Sequence, residues 1–248
     1  MSDLYKQDDS NHKDYVKLNG EIYYSFLKKF HDFLNPKGYL EIGTATGASL
    51  ANSRCNSIAI DPMFTVSPDS INNKRPVTML FSMPSDLFFA EYNPTSLLSK
   101  KIDIAFLDGL HEAETLLRDF YNTERHCKRN SIIFLHDMLP FNGEMTIREY
   151  PGGAVPWTGD VWKVLPILRK NRPGLDIYVF DAAPTGLVAI TNLDPESREL
   201  SDNYYKIWKE WSNIELKEYG VARYFDECNI ISTSSVNTAS KMRKLFWL

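Results

Sequence analysis

The sequence predicts an α/β protein built on a doubly wound, mostly parallel sheet of seven strands that includes one antiparallel strand. Three observations predict this fold. Short continuous apolar runs alternate with helical stretches from residue 39 onward, which is typical of strands buried on both faces of a parallel sheet. Several of these runs end in an aspartate or a histidine. The last two runs flank a short turn, which favours an antiparallel pair.

The apolar runs are assigned to strands in chain order. They occupy residues 39–42, 57–60, 77–81, 102–107, 131–135, 176–180 and 186–190. Helices are predicted at residues 15–34, 86–92, 112–127, 158–170 and 203–218, where apolar side chains recur every three or four positions or a helix start signal is present. A short helix is also expected after the first strand, and Pro166 is expected to kink the helix that contains it.

We interpret the 248 residues as one domain with helical additions at both ends. Residues 1–37 are expected to form an N-terminal helical cover, loose over residues 1–14. Residues 38–191 are the predicted core, and residues 192–248 are a C-terminal helical extension. The segment 138–157 contains several prolines and glycines. A loop of this length in a compact domain is usually a lid or a binding loop, and Trp157 could line an acceptor pocket or belong to a capped helix.

Composition excludes several classes of protein. Hydrophobic residues make up 43% and charged residues 24% of the chain, as in an ordinary soluble globular protein. The net charge of −4 argues against a nucleic-acid partner. The apolar runs are shorter than the ~20 residues of a membrane span, and the polar start is unlike a secretory signal. The three cysteines form no CxxC pair, so we expect reduced thiols in a cytoplasmic protein. Homo-oligomer formation stays open.

The strongest local pattern is EIGTATG at residues 41–47, directly after the first strand. Its glycines allow a tight turn and let a ligand lie against bare backbone amides. The spacing is GxxxG, unlike the GxGxxG of dinucleotide sites, and no P-loop lysine follows. A ligand with an amino-acid end and a ribose therefore fits better than a pyrophosphate. Asp61 ends the second strand, where a carboxylate can accept hydrogen bonds from both ribose hydroxyls. A plain strand-to-helix turn is the alternative.

This pattern resembles that of class I S-adenosylmethionine-dependent methyltransferases, which have a Rossmann-like sheet with a final antiparallel strand pair. The resemblance covers about residues 38–191 and implies S-adenosyl-L-methionine as cofactor. The residues it implies for cofactor binding are Glu41, Gly43, Thr44, Gly47, Asp61, Ser82 and Asp108, with Glu41 near the amino-acid end and Ser82 near the adenine. Helix capping explains the serines near residue 82 equally well.

Two further segments, FLDGLH at residues 106–111 and LHD at residues 135–137, resemble methyltransferase family 24, the small-molecule and sugar O-methyltransferase branch. Some members carry Asp-x-x-His after strand four and paired acids after strand five; the acids bind magnesium and the histidine is the base. Asp108 and His111 match the first motif and Asp137 the second acid, but His136 replaces the first acid. The resemblance implies these four as catalytic residues, with Asp108 and Asp137 as metal ligands.

The substitution at His136 weakens the case for magnesium, because that ion prefers oxygen ligands. A softer divalent ion, or no metal, stays open. The residues alone support a cluster, because the carboxyl ends of parallel strands share one edge of the sheet. A histidine there could remove a hydroxyl proton during methyl transfer. Alternatively, His111 could bond backbone at a helix start, and His136 could be a buried histidine bonded to Asp108.

The sequence therefore predicts an S-adenosylmethionine-dependent enzyme that methylates a hydroxyl on a small molecule or a sugar. Two other functions remain as alternatives. A NAD-dependent sugar-modifying enzyme is disfavoured by the GxxxG spacing. A non-catalytic regulatory module would keep Glu41, Gly43 and Asp61 for cofactor binding and would not use His111.

Overall fold

The computed structural model describes residues 18–72, 74–152 and 156–248. All seven strands lie in one sheet. They are β1 Gly38–Ile42, β2 Asn56–Ile60, β3 Thr78–Phe81, β4 Ile102–Leu107, β5 Cys127–His136, β6 Asp176–Phe180 and β7 Leu187–Thr191. The strand order is β3-β2-β1-β4-β5-β7-β6, and β7 runs antiparallel to both of its neighbours while the other pairs are parallel. The predicted fold class is confirmed.

Helices cover both faces of this sheet. In chain order they are α1 Tyr23–Leu34, α2 Pro68–Ile71, α3 Ser85–Glu91, α4 Pro94–Leu98, α5 Ala113–Glu124, α6 Val164–Asn171, α7 Glu199–Asp202, α8 Tyr204–Trp211, α9 Leu216–Tyr219, α10 Val221–Cys228 and α11 Ala239–Met242. None of the helices in the described parts of the chain has the length and apolar character needed to cross a membrane. The three cysteines are free and buried.

Several predicted helix boundaries are wrong. Residues 18–22 are not helical, and residues 15–17 lie outside the described residues, as do the predicted loose residues 1–14. After β1 there is only a single 3₁₀ turn, Leu50–Asn52, because Ala45 and Gly47 have positive φ and prevent a helix from starting there. The predicted helix 203–218 is interrupted between α8 and α9.

Pro166 also behaves differently from the prediction. It lies in the first turn of α6, which follows a 3₁₀ turn at Val161–Lys163. Backbone amides in a first helical turn have no intrahelical partner, so proline is tolerated there without breaking a hydrogen bond. Pro166 is therefore near the start of its helix, and its predicted position inside a helix over residues 158–170 is wrong.

Helix α1 packs against one face of the sheet. Phe26 and Phe30 of this helix are fully buried and contact the rings of Phe180 and Phe134 on one face of the sheet. α5 and α6 cover the opposite face with their own buried side chains. This packing places the N-terminal end of α1 near the carboxyl ends of β4 and β5. The division of the chain at residues 37 and 191 stays a prediction.

Candidate active site

The turn after β1 passes very close to the end of β4. Gly43 has φ +82°, and a Cβ atom at this position would lie 1.9 Å from the carbonyl oxygen of Asp108. Only glycine fits such an approach without displacing the backbone. The amide of Gly43 also donates to the carbonyl of Ile60 at 2.9 Å, which ties the turn to the end of β2. The motif glycine therefore brings the ends of three neighbouring strands together.

Asp61 organises the same turn. One carboxylate oxygen accepts a hydrogen bond from the amide of Ala45 and the other from the amide of Met63, both at 2.7 Å. An ionised carboxylate has about four lone-pair sites, so two backbone bonds leave capacity for a ligand hydroxyl. Asp61 thus both holds the turn and remains able to accept further bonds.

A cavity of about 710 Å³ lies above these strand ends. Of the residues implied for cofactor binding, Gly43, Asp61 and Asp108 line it, and His111 lines it as well. The other four, Glu41, Thr44, Gly47 and Ser82, lie outside this lining. Gly47 faces Ser70 and Val66, and Ser82 donates to the carbonyl of Pro62 at 3.4 Å. The structure thus brings about half of the predicted set to the cavity wall.

Glu41 lies beneath the glycine turn and is fully buried. The hydroxyl of Tyr39 donates to its carboxylate at 2.5 Å. Burial raises the pKa of Glu41 to about 7, although the hydrogen bond from Tyr39 opposes that rise. Burial of an ionised carboxylate costs free energy. The folded protein therefore binds the proton of Glu41 more tightly than the unfolded chain does.

The four residues implied for catalysis form one cluster. Asp108 Oδ1 lies 3.2 Å from His136 Nδ1 and 3.6 Å from His111 Nε2. On the other side, Asp137 Oδ2 lies 3.1 Å from His111 Nε2, and Asp137 Oδ1 lies 3.3 Å from His136 Nδ1. β4 and β5 are parallel neighbours, so their ends carry these side chains to the same edge. The strand-end cluster predicted from the sequence is present.

The ring of His111 is oriented on the side away from the carboxylates by Trp157, at the end of the long loop, and by the residues that follow it. His111 Nδ1 lies 2.9 Å from the carbonyl oxygen of Trp157, and the two rings stack with centroids 5.0 Å apart. Gly159 approaches so closely that a Cβ atom there would lie 1.8 Å from the carbonyl oxygen of His111. Because a carbonyl only accepts hydrogen bonds, Nδ1 carries a hydrogen, and Nε2 faces the carboxylates.

Two residues beside the cluster were missed in the sequence. Thr185, in the turn between β6 and β7, donates to Asp137 Oδ1 at 2.5 Å and lies 3.5 Å from His136 Nε2. Tyr23, the first residue of α1, has its ring centroid 4.0 Å from that of His136. The only sequence signal for Tyr23 was a tyrosine among the phenylalanines and leucines of α1. No sequence signal pointed to Thr185.

Mutual electrostatics dominate the charges of the cluster. Burial alone would raise the pKa of Asp108, but His136 and His111 lower it to about 2. Burial would lower the pKa of His136, but the charges of Asp137 and Asp108 raise it well above its usual range. The pKa of His111 is raised by the same carboxylates against the effect of burial. The carboxylates therefore favour the protonated form of both imidazoles, most of all that of His136.

The long segment 138–157 is only partly loose. Met138, Leu139 and Met145 are buried, whereas Ile147 and Tyr150 are exposed. Leu139 donates its amide to the carbonyl of Thr185 at 2.7 Å. Residues 153–155 of the predicted lid lie outside the described residues. Both ends of the described segment are therefore anchored beside the cluster.

A divalent metal ion would find suitable donors here. Asp108, His111 and Asp137 each offer a donor atom, and these atoms lie within 4.8 Å of one another. Two carboxylate oxygens and one imidazole nitrogen suit manganese, iron or zinc better than magnesium. The residues therefore fit a divalent ion, with His111 added to the two aspartates that the resemblance implied.

Part of this chain matches a known domain model, and its fold matches that of solved structures. Residues 40–138 match the model of methyltransferase family 24, described as a methyltransferase domain. No curated protein matches the chain. The cofactor-bound structure of Rv0187 from MTB is similar at 14% identity and a TM-score of 0.51, over 71% of this chain and 80% of that one. That likeness shows a shared fold.

Two O-methyltransferase structures are also similar. The enzyme from Bacillus cereus in complex with SAH is 12% identical over 75% of this chain and 83% of its own, with a TM-score of 0.46. TomG from Streptomyces achromogenes, in complex with SAM, is 11% identical over 68% of this chain and 78% of its own, with a TM-score of 0.47. The match of residues 40–138 to a methyltransferase domain and the shared fold agree with the sequence motifs, which resemble those of class I, S-adenosylmethionine-dependent methyltransferases.

Proposed function

We propose that the protein transfers the methyl group of S-adenosyl-L-methionine to a hydroxyl of a small molecule, for which a sugar is one candidate class. One observation carries this proposal. One cavity is lined by Gly43 and Asp61 of the proposed cofactor site and also by Asp108 and His111 of the cluster. A cofactor bound over the glycine turn would therefore present its sulfonium end toward the acid–histidine cluster, where an acceptor hydroxyl can be aligned with it.

In the proposed cofactor site, Asp61 accepts hydrogen bonds from the ribose hydroxyls. Glu41, Gly43, Thr44 and Gly47 shape the turn that receives the amino-acid end. Glu41 and Thr44 are buried beneath that turn, so their contribution is to hold it. Ser82, which lies outside the cavity lining, is the residue proposed nearest the adenine.

In the proposed reaction the acceptor oxygen attacks the methyl carbon in line with the breaking bond to sulfur. The carbon–oxygen bond forms, the sulfur keeps the electron pair, and S-adenosylhomocysteine leaves. The hydroxyl proton passes to His111 Nε2, which faces Asp137 at 3.1 Å. The carboxylates of Asp108 and Asp137 stabilise the positive charge that develops on this ring, and His136 Nδ1 holds these two carboxylates in place. Proton removal of this kind contributes roughly 10²–10⁴-fold to rate.

A divalent ion, if the protein uses one, would be held by Asp108 and Asp137 with His111 as the nitrogen donor. Bound there, it would supply positive charge that favours loss of the hydroxyl proton. With Nε2 of His111 bound to the ion, this histidine would not take the hydroxyl proton, and loss of that proton would depend on the charge of the ion. Thr185 keeps Asp137 in place through its hydrogen bond.

The first test measures binding and transfer on the wild-type protein. Calorimetry with S-adenosylhomocysteine and with NAD should give binding of the first and not of the second; preference for NAD would overturn the proposal. Incubation with S-adenosylmethionine and either catechol or methyl α-D-glucopyranoside, followed by mass spectrometry, should show a methylated product. Cofactor binding without transfer to any hydroxyl acceptor in a broader panel would favour the regulatory-module alternative.

A further inference from the structure

The chain segment before α1 is fixed against the turn between β6 and β7. Ala183 donates its amide to the carbonyl of Glu21 at 2.8 Å, and Tyr23 donates to the carbonyl of Ala183 at 3.0 Å. Gly20 lies so close to Asp181 that an added Cβ atom would be 2.2 Å from Oδ1 of that residue. These contacts define the position of Tyr23, the first residue of α1, relative to the strand ends.

Tyr23 lies directly against one catalytic candidate. Its ring centroid is 4.0 Å from that of His136, with the ring planes tilted by 37°. Phe106 lies beyond both rings, with centroids 6.0 Å from Tyr23 and 6.1 Å from His136. Tyr23 is 8% exposed, so the ring of His136 has little freedom to rotate on that side.

The orientation of His136 matters because one of its atoms contacts two acids. Nδ1 lies 3.2 Å from Asp108 and 3.3 Å from Asp137, while Nε2 lies 3.5 Å from the hydroxyl of Thr185. Rotation of the imidazole would move Nδ1 away from both carboxylates. The two acids would then repel each other and shift relative to His111.

We propose that Tyr23 is a positioning residue of the methyl-transfer site, whose aromatic ring holds His136 with Nδ1 facing both Asp108 and Asp137. The effect of Tyr23 on catalysis rests on the proposed function, whereas its contact with His136 does not. It gives the segment 20–23 a part in catalysis, although none of its side chains is placed on the reacting atoms. The contact with His136 is between rings, so we assign the positioning to the aromatic face and expect removal of the hydroxyl to have little effect.

The test compares three variants of the full chain. Tyr23→Leu removes the ring, Tyr23→Phe keeps it, and Phe26→Leu is the matched control, because Phe26 is a buried ring of the same helix that contacts Phe30 and Phe180. The first readout is the NMR shift of the His136 ring protons in the free protein. We expect Tyr23→Leu to lose the ring-current shift, and Tyr23→Phe and Phe26→Leu to keep it.

The second readout is kinetic, with whichever of catechol or methyl α-D-glucopyranoside is methylated. Tyr23→Leu should lower kcat by on the order of tenfold to a hundredfold, because small misplacements of catalytic groups have effects of that size. The KM for S-adenosylmethionine should stay unchanged, and Tyr23→Phe should restore kcat. Equal impairment of Tyr23→Phe and Tyr23→Leu, or a wild-type kcat in Tyr23→Leu, would overturn the proposal.

If Tyr23→Leu fails to fold, Gly20→Ala provides the second variant. Its added methyl group must displace the segment from Asp181, so the His136 ring protons should shift and kcat should fall while the Phe26→Leu control stays normal. Unchanged resonances in a folded Gly20→Ala would contradict the inference. The two proposals can fail separately. If the proposed function is wrong, the wild type transfers no methyl group; the position of Tyr23 on His136 is still tested by NMR, which needs no acceptor.

Discussion

The Nε2 atom of His111 lies 3.1 Å from Oδ2 of Asp137, so a residue shortly after β4 meets a residue directly after β5. Asp137 reaches this position with φ 61°, a backbone region that residues other than glycine adopt seldom. Such strain persists where the surrounding structure enforces it, and it concentrates at functional sites. Here the bond from Thr185 and the two histidines hold the Asp137 carboxylate in place.

This contact makes His111 the first residue to test. His111→Ala should lower turnover by roughly 10²–10⁴-fold, because the group that takes the hydroxyl proton is lost. The affinity for S-adenosylhomocysteine, measured by calorimetry, should change little, since His111 is not among the residues proposed to bind the cofactor. His126→Ala is the matched control, because His126 stacks on Phe89 away from the cluster. Wild-type turnover in His111→Ala would exclude His111 as the base.

The same base predicts a pH dependence of activity. Asp108 and Asp137 raise the pKa of His111, and a base must be unprotonated to act. Turnover should therefore rise with pH through a value above the usual 6.5 of histidine. The rising limb should be missing from the residual activity of His111→Ala. A wild-type profile that falls over this range would contradict the assignment.

Removal of divalent ions tests the role of the two aspartates. The donors of Asp108, His111 and Asp137 fit such an ion, so Mn²⁺ added to chelator-treated protein should bind, as followed by electron paramagnetic resonance. Asp137→Ala should lose this binding and turnover together. If the wild type binds no Mn²⁺ and keeps full activity in excess chelator, Asp108 and Asp137 act as hydrogen-bonding residues only.

The sheet and the catalytic cluster could be predicted because their signals are local. Continuous apolar runs identify buried strands, and the bounds of β4 and β6 were predicted as the structure has them. The ends of adjacent parallel strands meet by topology, which is why Asp108 and Asp137 were expected together. A side chain directly after a buried strand is therefore placed well by sequence alone.

The contribution of the N-terminal segment could not be predicted, because contacts distant in sequence decide it. Residues 18–22 had a helical pattern but bond to the turn after β6, and this tertiary pairing overrides propensity. The same bonds place Tyr23 on His136. Likewise, nothing in the motif indicated that Glu41 would be buried below the turn rather than facing the cavity.

Asp61 is expected to control cofactor affinity. Asp61→Ala should weaken S-adenosylhomocysteine binding by on the order of tenfold to a hundredfold, because a hydrogen bond that involves a charged group contributes roughly 1.5–3 kcal/mol. Part of this loss would come from the turn, whose amides at Ala45 and Met63 lose their acceptor. Asp61→Asn keeps an acceptor oxygen, so its affinity for S-adenosylhomocysteine should lie between those of the wild type and Asp61→Ala. Asp32→Ala, on an exposed face of α1, is the control, and unchanged affinity in Asp61→Ala would contradict the assignment.

The described part of the segment 138–157 should respond unevenly to ligands. Hydrogen exchange should be fast in the free protein around Ile147 and Tyr150, which are exposed, and slow around Met138 and Met145, which are buried. Addition of S-adenosylhomocysteine with an acceptor should slow the exposed part, and cofactor product alone should slow it less. Full protection of the exposed part before any ligand is added would contradict a lid at this position.

Glu41 links the stability of the fold to pH. Its pKa is raised from 4.5 to about 7 by burial, so the folded protein keeps this proton over a range in which the unfolded chain releases it. The stability contributed by the protonated form is therefore lost as pH rises from about 4.5 to about 7. A shift of this size corresponds to about 3 kcal/mol. Glu41→Gln cannot ionise and keeps an oxygen that can accept from Tyr39.

Urea unfolding of the free protein at about pH 5 and about pH 8 checks this expectation. Between these values the wild type should lose more stability than Glu41→Gln, by up to about 2.5 kcal/mol, because part of the effect is already lost at about pH 5. Glu91→Gln is the matched control, because Glu91 is exposed and its replacement should leave the wild-type pH dependence intact. Equal pH dependence in wild type and Glu41→Gln would mean that Glu41 is already ionised in the folded protein at the lower pH, and that its hydrogen bonds outweigh its burial.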